Sequence, residues 1–202
     1  MLALRQVRET DASSKVKFTV KFKPYQLYPE ASKEGESKYN WYKKSRYSDS
    51  EDKMKTYITL MTAYGQSAGI DFKFRGTVAN TFNAHRVIQH FQATKGPEVA
   101  DKLVMSLYRL YFEEEQHPST TETLLAACKE AGIEEAEAKA FIENEDEELN
   151  ETKLLIQEQA HNDVESVPFI VFEGKKRDII VEGANDVSDY VKTLKQIVKE
   201  SE

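Results

Sequence analysis

The 202 residues contain a single cysteine, Cys128. One cysteine cannot close an internal disulfide or build a thiolate metal centre alone, and there is no Cys-x-x-Cys pair. Cys128 ends the run Thr123-Leu124-Leu125-Ala126-Ala127-Cys128. Positions 124, 125 and 128 share one helix face there, which reads as a small buried apolar side chain rather than a reactive thiol. Glycine is scarce, at eight residues. None of them forms a phosphate-cradling loop, a dinucleotide fingerprint or a Gly-x-Ser-x-Gly elbow. Long apolar runs are missing too: nothing approaches a membrane span, and Met1–Lys15 has no stretch of signal-peptide length. A cytoplasmic setting, with no membrane partner, is the expectation. Positive charge is not in excess, with a net charge of -7 and a pI near 5.3. This speaks against nucleic acid as a partner.

Histidine is sparse as well. His85 and His90 are spaced i+5 and do not share a helix face, and His117 and His161 stand apart from them. No pair has zinc-like spacing, so neither a metal nor a cofactor is expected. The acidic run Glu143–Glu148 lacks the spaced oxygen ligands and central glycine of a calcium loop, and reads as a solvated turn.

What remains has clear periodicity. From Lys15 to Lys23, Val16, Phe18, Val20 and Phe22 alternate with Lys and Thr, which predicts a strand with one buried face. Pro24 and Pro29 end it. Helices are predicted over Lys38–Tyr47, Ser50–Ser67, Phe82–Thr94, Glu98–Glu114, Ser119–Glu130, Glu134–Glu143 and Glu147–Asn162. Ser119 with Glu122 suggests a capping box, Pro97 a first-turn position, and Gly69 and Gly132 helix ends. Trp41, Tyr42, Tyr47 and Tyr57 are expected to pack this helical block. Val167–Phe172 is nearly all apolar, as in a strand buried on both faces. A tight turn at Glu173-Gly174-Lys175 leads to a return strand over Arg177–Val181. Asn185 or Asp186 then caps a final helix that runs through Val198. The order is α/β with an inserted helical bundle.

Three passages carry a resemblance: Lys23-Pro24-Tyr25-Gln26-Leu27-Tyr28-Pro29; Gly69-Ile70-Asp71-Phe72 followed by Asn80-Thr81-Phe82-Asn83-Ala84-His85-Arg86; and Val167-Pro168-Phe169 followed by Glu182-Gly183-Ala184. Together they resemble the FrnE-like branch of the DsbA thioredoxin family, which is related to kappa-class glutathione transferases and 2-hydroxychromene-2-carboxylate isomerases. The resemblance implies a thioredoxin-like α/β fold with a large all-helical insertion. The core would span 1–36 and 162–202 and the insertion 37–161. It implies a cis Val167–Pro168 bond and the lineage activity of a protein thiol–disulfide oxidoreductase. The implied substrate-binding residues are Val167 and Pro168, with Asn80, His85 and Arg86 over the cleft. Capping and structural hydrogen bonding by Asn80, His85 and Arg86 is the alternative for that second group.

The sequence departs from the family at its start. Met1–Thr10 is similar only to the back half of the family's first helix, and the preceding strand and Cys-x-x-Cys have no counterpart. No catalytic residue is therefore assigned, and the chain is expected to be redox-inactive as it stands. The alternatives are a non-catalytic module holding a peptide or glutathione at Val167-Pro168, and an isomerase or transferase acting on a small thiol or aromatic substrate. In the implied topology the absent strand lies between the Val16–Phe22 and Val167–Phe172 strands. Its absence would leave two edges with unpaired N–H and C=O groups, each costing roughly 1–3 kcal/mol if buried from water. That predicts either a shortened form of a longer protein or a gap filled by rearrangement or by a partner strand.

Overall fold

The computed structural model describes residues 2–9 and 16–201. Contacts divide the chain into two compact units, Met1–Thr19 with Gln159–Glu202, and Val20–Glu158.

The second unit is helical. Its elements are β1 (Glu36–Ser37), α2 (Lys38–Tyr47), α3 (Glu51–Ala68), β2 (Thr77–Val78), α4 (Phe82–Lys95), α5 (Pro97–Phe112), α6 (Thr121–Ala131) and α7 (Glu135–Glu143), followed by most of α8 (Leu149–His161). Helices α4 to α7 turn their apolar faces inward around Val87, Phe91, Leu103, Leu124 and Ala127. Cys128 lies in this core at 0% exposure, which the run of small and apolar residues around it dictates. Gly69 and Gly132 end α3 and α6 in the left-handed conformation, as their positions predict. The α6 cap sits one residue later than the sequence suggests: the Thr120 hydroxyl accepts from the Thr123 N–H at 3.4 Å, while the Ser119 hydroxyl is buried without a partner. Aromatic rings join the early helices in a chain. Tyr28 meets Trp41 at 4.4 Å between centroids, Trp41 meets Tyr42 at 5.2 Å, and Tyr42 stacks on Tyr57 at 5.6 Å.

One link has no sequence signal. Glu36 and Ser37 pair antiparallel with Val78 and Thr77, a two-residue ladder too short for an alternating pattern. Just before β2, Gly76 lies against the backbone of Glu115, where an added Cβ would sit 2.9–3.1 Å from the Glu115 O, Cα and C atoms. Backbone atoms cannot swing aside as a side chain does. Gly76→Ala is therefore expected to destabilise the protein by about 1–3 kcal/mol, read as a lower urea midpoint at unchanged slope.

The first unit contains α1 (Leu2–Arg8), the hairpin β3 (Phe169–Phe172) and β4 (Ile179–Glu182), and α9 (Val187–Ser201). Ala3, Val7 and Leu194 are buried, and Leu4, Phe18, Phe172, Val187, Tyr190 and Val191 pack against them.

Two strand expectations need correction. Lys15 lies outside the described residues. From Val16 to Lys23 burial alternates as predicted, yet no strand forms. The alternation records which face is covered, whereas a strand requires a ladder partner. Some of its backbone is met by side chains instead. The Gln92 amide accepts from the Phe22 N–H at 2.7 Å and donates to the Phe22 C=O at 3.0 Å, and Gln89 donates to that same carbonyl at 3.1 Å. Farther back, Arg8 donates to the Phe18 carbonyl at 3.3 Å. The second correction concerns Val167–Phe172. Its strand covers only Phe169–Phe172, and none of these four residues is buried. A continuous apolar run permits burial on both faces but does not supply the layers that would cover it.

Candidate functional site

The β3–β4 register pairs Phe169 with Glu182, Ile170 with Val181, Val171 with Ile180, and Phe172 with Ile179. In an antiparallel ladder only alternate residues exchange hydrogen bonds with the opposite strand. The phase is set by Gly183, whose N–H donates to the Pro168 carbonyl at 2.9 Å. Ile170 and Phe172 therefore turn their N–H and C=O groups toward β4, and Phe169 and Val171 turn theirs away. Among the described residues nothing pairs with that outer edge of β3. The other margin of the hairpin differs, because the Asn185 amide donates to the Glu182 and Gly183 carbonyls at 3.0 Å each.

The open edge is unprotected by its chemistry. Exposed edges are normally blunted by lysine, proline or a bulge at outward positions. Here the outward positions are Phe169 and Val171, and both are apolar. Val171 and its cross-strand neighbour Ile180 are 46% and 55% exposed. Val167, also 46% exposed, precedes the edge through a cis peptide bond to Pro168. The result is a row of backbone donors and acceptors with no partner among the described residues, flanked by apolar side chains.

The remaining residues singled out by sequence lie in the helical unit. Asn80 is committed to local bonds. Its Oδ1 accepts from the Phe82 N–H at 2.9 Å and from the Gln26 amide at 3.0 Å, and its Nδ2 donates to the Pro29 carbonyl at 2.8 Å. These bonds tie the Pro24–Pro29 loop to the start of α4. His85 sits one turn into α4. Burial pushes its imidazole pKa down to about 4, opposed by a hydrogen bond with the Tyr25 backbone. It is neutral at physiological pH.

Arg86 is buried at 0% exposure. Its guanidinium donates to the carbonyls of Phe141 (3.3 Å), Ile142 (3.1 Å), Asn144 (2.9 Å) and Glu147 (2.9 Å). It also lies over the Phe141 ring at 4.5 Å. The fork thus closes the C-terminal end of α7, where helix carbonyls lack intrahelical partners. Beside it, His90 stacks on Phe141 at 3.8 Å and meets Glu148 at 2.8 Å. Among the described residues no three His, Cys, Asp or Glu side chains are placed to hold a metal ion. No described helix is long and apolar enough to cross a membrane.

The glutamines that hold Phe22 were not singled out in the sequence. Their i, i+3 spacing on α4 shows that they share a face, but not that the face meets a bare backbone.

No curated protein matches the sequence. Solved structures match its fold, two of them as follows. A probable DsbA oxidoreductase from Streptomyces coelicolor superposes with a TM-score of 0.78 at 18% identity, covering 98% of this chain and 82% of its own. A candidate protein disulfide isomerase from Nitrosomonas europaea gives a TM-score of 0.62 at 16% identity, covering 76% of this chain and 77% of its own. The family model for the DSBA-like thioredoxin domain matches residues 1–195. The chain, an α/β protein with small sheets and a large helical insertion, therefore belongs to the DSBA-like thioredoxin domain family.

Proposed function

We propose that these 202 residues form a FrnE-like, redox-inactive member of that family that binds an extended polypeptide along the open edge of β3. The observation that supports this reading is the edge itself: among the described residues the outward N–H and C=O groups of Phe169 and Val171 have no partner, and the exposed Val167-Pro168 bend precedes them. An added strand would be held by its main chain, with side-chain selectivity drawn from the apolar flank. Redox inactivity follows from the thiol inventory. Dithiol exchange needs a thiolate and a second cysteine, whereas Cys128 is alone and buried, and burial pushes its pKa up to about 12. The setting is cytoplasmic, since such binding requires no oxidising compartment. Under this reading Asn80, His85 and Arg86 shape their own unit and do not touch the peptide.

The register supplies a paired test. Val171→Pro removes an outward N–H from β3 and leaves the β3–β4 ladder intact, because proline is tolerated where the N–H faces solvent. Ile180→Pro does the same on the opposite margin of the hairpin. Titration with a carboxymethylated, permanently unfolded polypeptide is expected to shift the Phe169 and Val171 amide signals. Binding should fall by about tenfold or more in Val171→Pro and persist in Ile180→Pro. Equal binding by both variants, or no local shifts in the parent protein, would sink the proposal. A matching titration with reduced glutathione shows whether the edge selects longer chains.

A further inference from the structure

A strand added to β3 also meets the layer that the hairpin rests on. Val171 and Ile180 share one face of the hairpin, and Ile170 and Phe172 share the other. Phe172 packs on the cluster around Ala3, Val7 and Leu194, and Phe18 packs on the same cluster. That layer is incompletely covered. Leu4, Phe18 and Phe172 on it are partly buried, and so are Val187, Tyr190 and Val191 of α9. In the helical unit the balance is reversed, because most of the apolar residues of its cluster are buried. The first unit therefore has an open backbone edge joined, through Phe172, to a partly bare apolar layer. The two ends of the edge also differ in charge. Exposed Asp163 and Glu165 precede β3, whereas the turn after it carries exposed Lys175 and Lys176, with Glu173 before them. The other charges of that turn are engaged: Arg177 donates to Glu200 at 2.8 Å, and Asp178 accepts from the Gly174 N–H at 3.1 Å.

We propose that the polypeptide taken by this edge is an amphipathic strand, apolar at every second residue. It runs antiparallel to β3, with an acidic N-terminal flank and a basic C-terminal flank. This rests on the reading of the β3 edge as a polypeptide site, and it adds what that polypeptide must be. Residues directly opposite each other in a ladder share a face. Those of the added strand that lie level with Ile170 and Phe172 are turned onto the partly covered cluster. An apolar side chain there removes its own surface and that of the cluster from water. Those level with Phe169 and Val171 point the other way, toward solvent, and tolerate polar side chains. Apolar residues at helical spacing do not meet that layer from an extended chain, whose side chains alternate strictly. Charge sets the direction. In the antiparallel sense the strand begins at the Lys175–Lys176 end of β3 and finishes at the Asp163–Glu165 end. Carboxylates at its start and cations at its finish then face opposite charges. A strand with its charges exchanged finds those partners only in the parallel sense, whose pairing is slightly weaker per residue.

The test is a titration of the full chain with three capped peptides of identical composition, followed by amide and side-chain NMR signals. The first has a Glu pair, a short run in which Val and Ser alternate, and a Lys pair. The second has the same ends, with the Val and Ser residues grouped in twos. The third alternates like the first, with its Glu and Lys ends exchanged. The first is expected to bind about fivefold or more tighter than the second, and to shift Leu4 and Phe172 as well as Val171. The third should bind about threefold weaker than the first at low salt and equally at high salt. Equal affinity for the alternating and grouped peptides would overturn the substrate assignment, and their common shifts at Phe169 and Val171 would leave edge binding standing. Equal affinity for the first and third at low salt would overturn the orientation. Failure of all three peptides and of the carboxymethylated polypeptide to shift β3 would instead remove the edge site itself.

Discussion

Replacing Arg86 with methionine is expected to destabilise the protein by about 3–5 kcal/mol. It takes the charged donor from several buried carbonyls at roughly 1–3 kcal/mol each, partly offset because methionine carries no charge to desolvate. Methionine approximates the aliphatic stem, so little of the loss comes from packing. The loss comes from the carbonyls of Phe141, Ile142, Asn144 and Glu147, which accept from one guanidinium, Asn144 also accepting from the Glu147 N–H at 3.2 Å. Arg86→Lys should recover only part of it, because an ammonium is a point charge and cannot span four acceptors as a planar fork does. Denaturant unfolding followed by circular dichroism measures both variants. The same variants separate a structural role from a ligand-binding one. If Arg86 supports α7 alone, Arg86→Met protein that is still folded binds the unfolded polypeptide with the affinity of the parent. A weakened affinity at full folding would place Arg86 on the substrate. A loss of stability under 1 kcal/mol would contradict the capping geometry.

Much of this structure was legible in the sequence because the relevant signals are local. Helical periodicity, Gly69, Gly132 and Pro97 located helix bodies and ends to within a few residues. The burial of Cys128 followed from its neighbours. What sequence could not supply was the partner of each element. Val16 to Lys23 has the alternation of a strand and buries the predicted side, but pairing depends on a second chain segment that its own residues do not encode. The two outcomes diverge along the chain, since Phe22 is held by Gln89 and Gln92 while β3 has its outer edge open. Val167–Phe172 was read as buried for the same reason. Asn80, His85 and Arg86 were legible as polar residues at a helix start, yet only the fold shows that Arg86 donates to backbone carbonyls and that Asn80 bonds the Phe82 and Pro29 backbone and the Gln26 side chain.

Acidification below pH 6.5 is expected to weaken the fold, and the buried His85 is the cause. Its imidazole is held neutral down to about pH 4, whereas an ordinary imidazole titrates near 6.5. As pH falls below 6.5 the unfolded chain takes up a proton that the folded chain refuses. The unfolded state then binds more protons, and stability falls with pH. For this single group the loss is about 2 kcal/mol between pH 7 and pH 5, rising to about 3 near pH 4. The carboxylates with the clearest shifts, Glu51, Glu130 and Glu200, are held below 4.5 by their hydrogen-bond partners. Their contribution is lost only at lower pH, and a variant at position 85 assigns the decline above pH 5 to this histidine. Urea midpoints measured across that interval should decline in the parent and stay nearly flat in His85→Gln, which keeps a polar side chain without an accessible proton-binding site. A parallel decline in both proteins would move the cause elsewhere. It would also remove the basis for treating His85 as a desolvated structural residue, and its ring would then be open enough to contact a polar ligand.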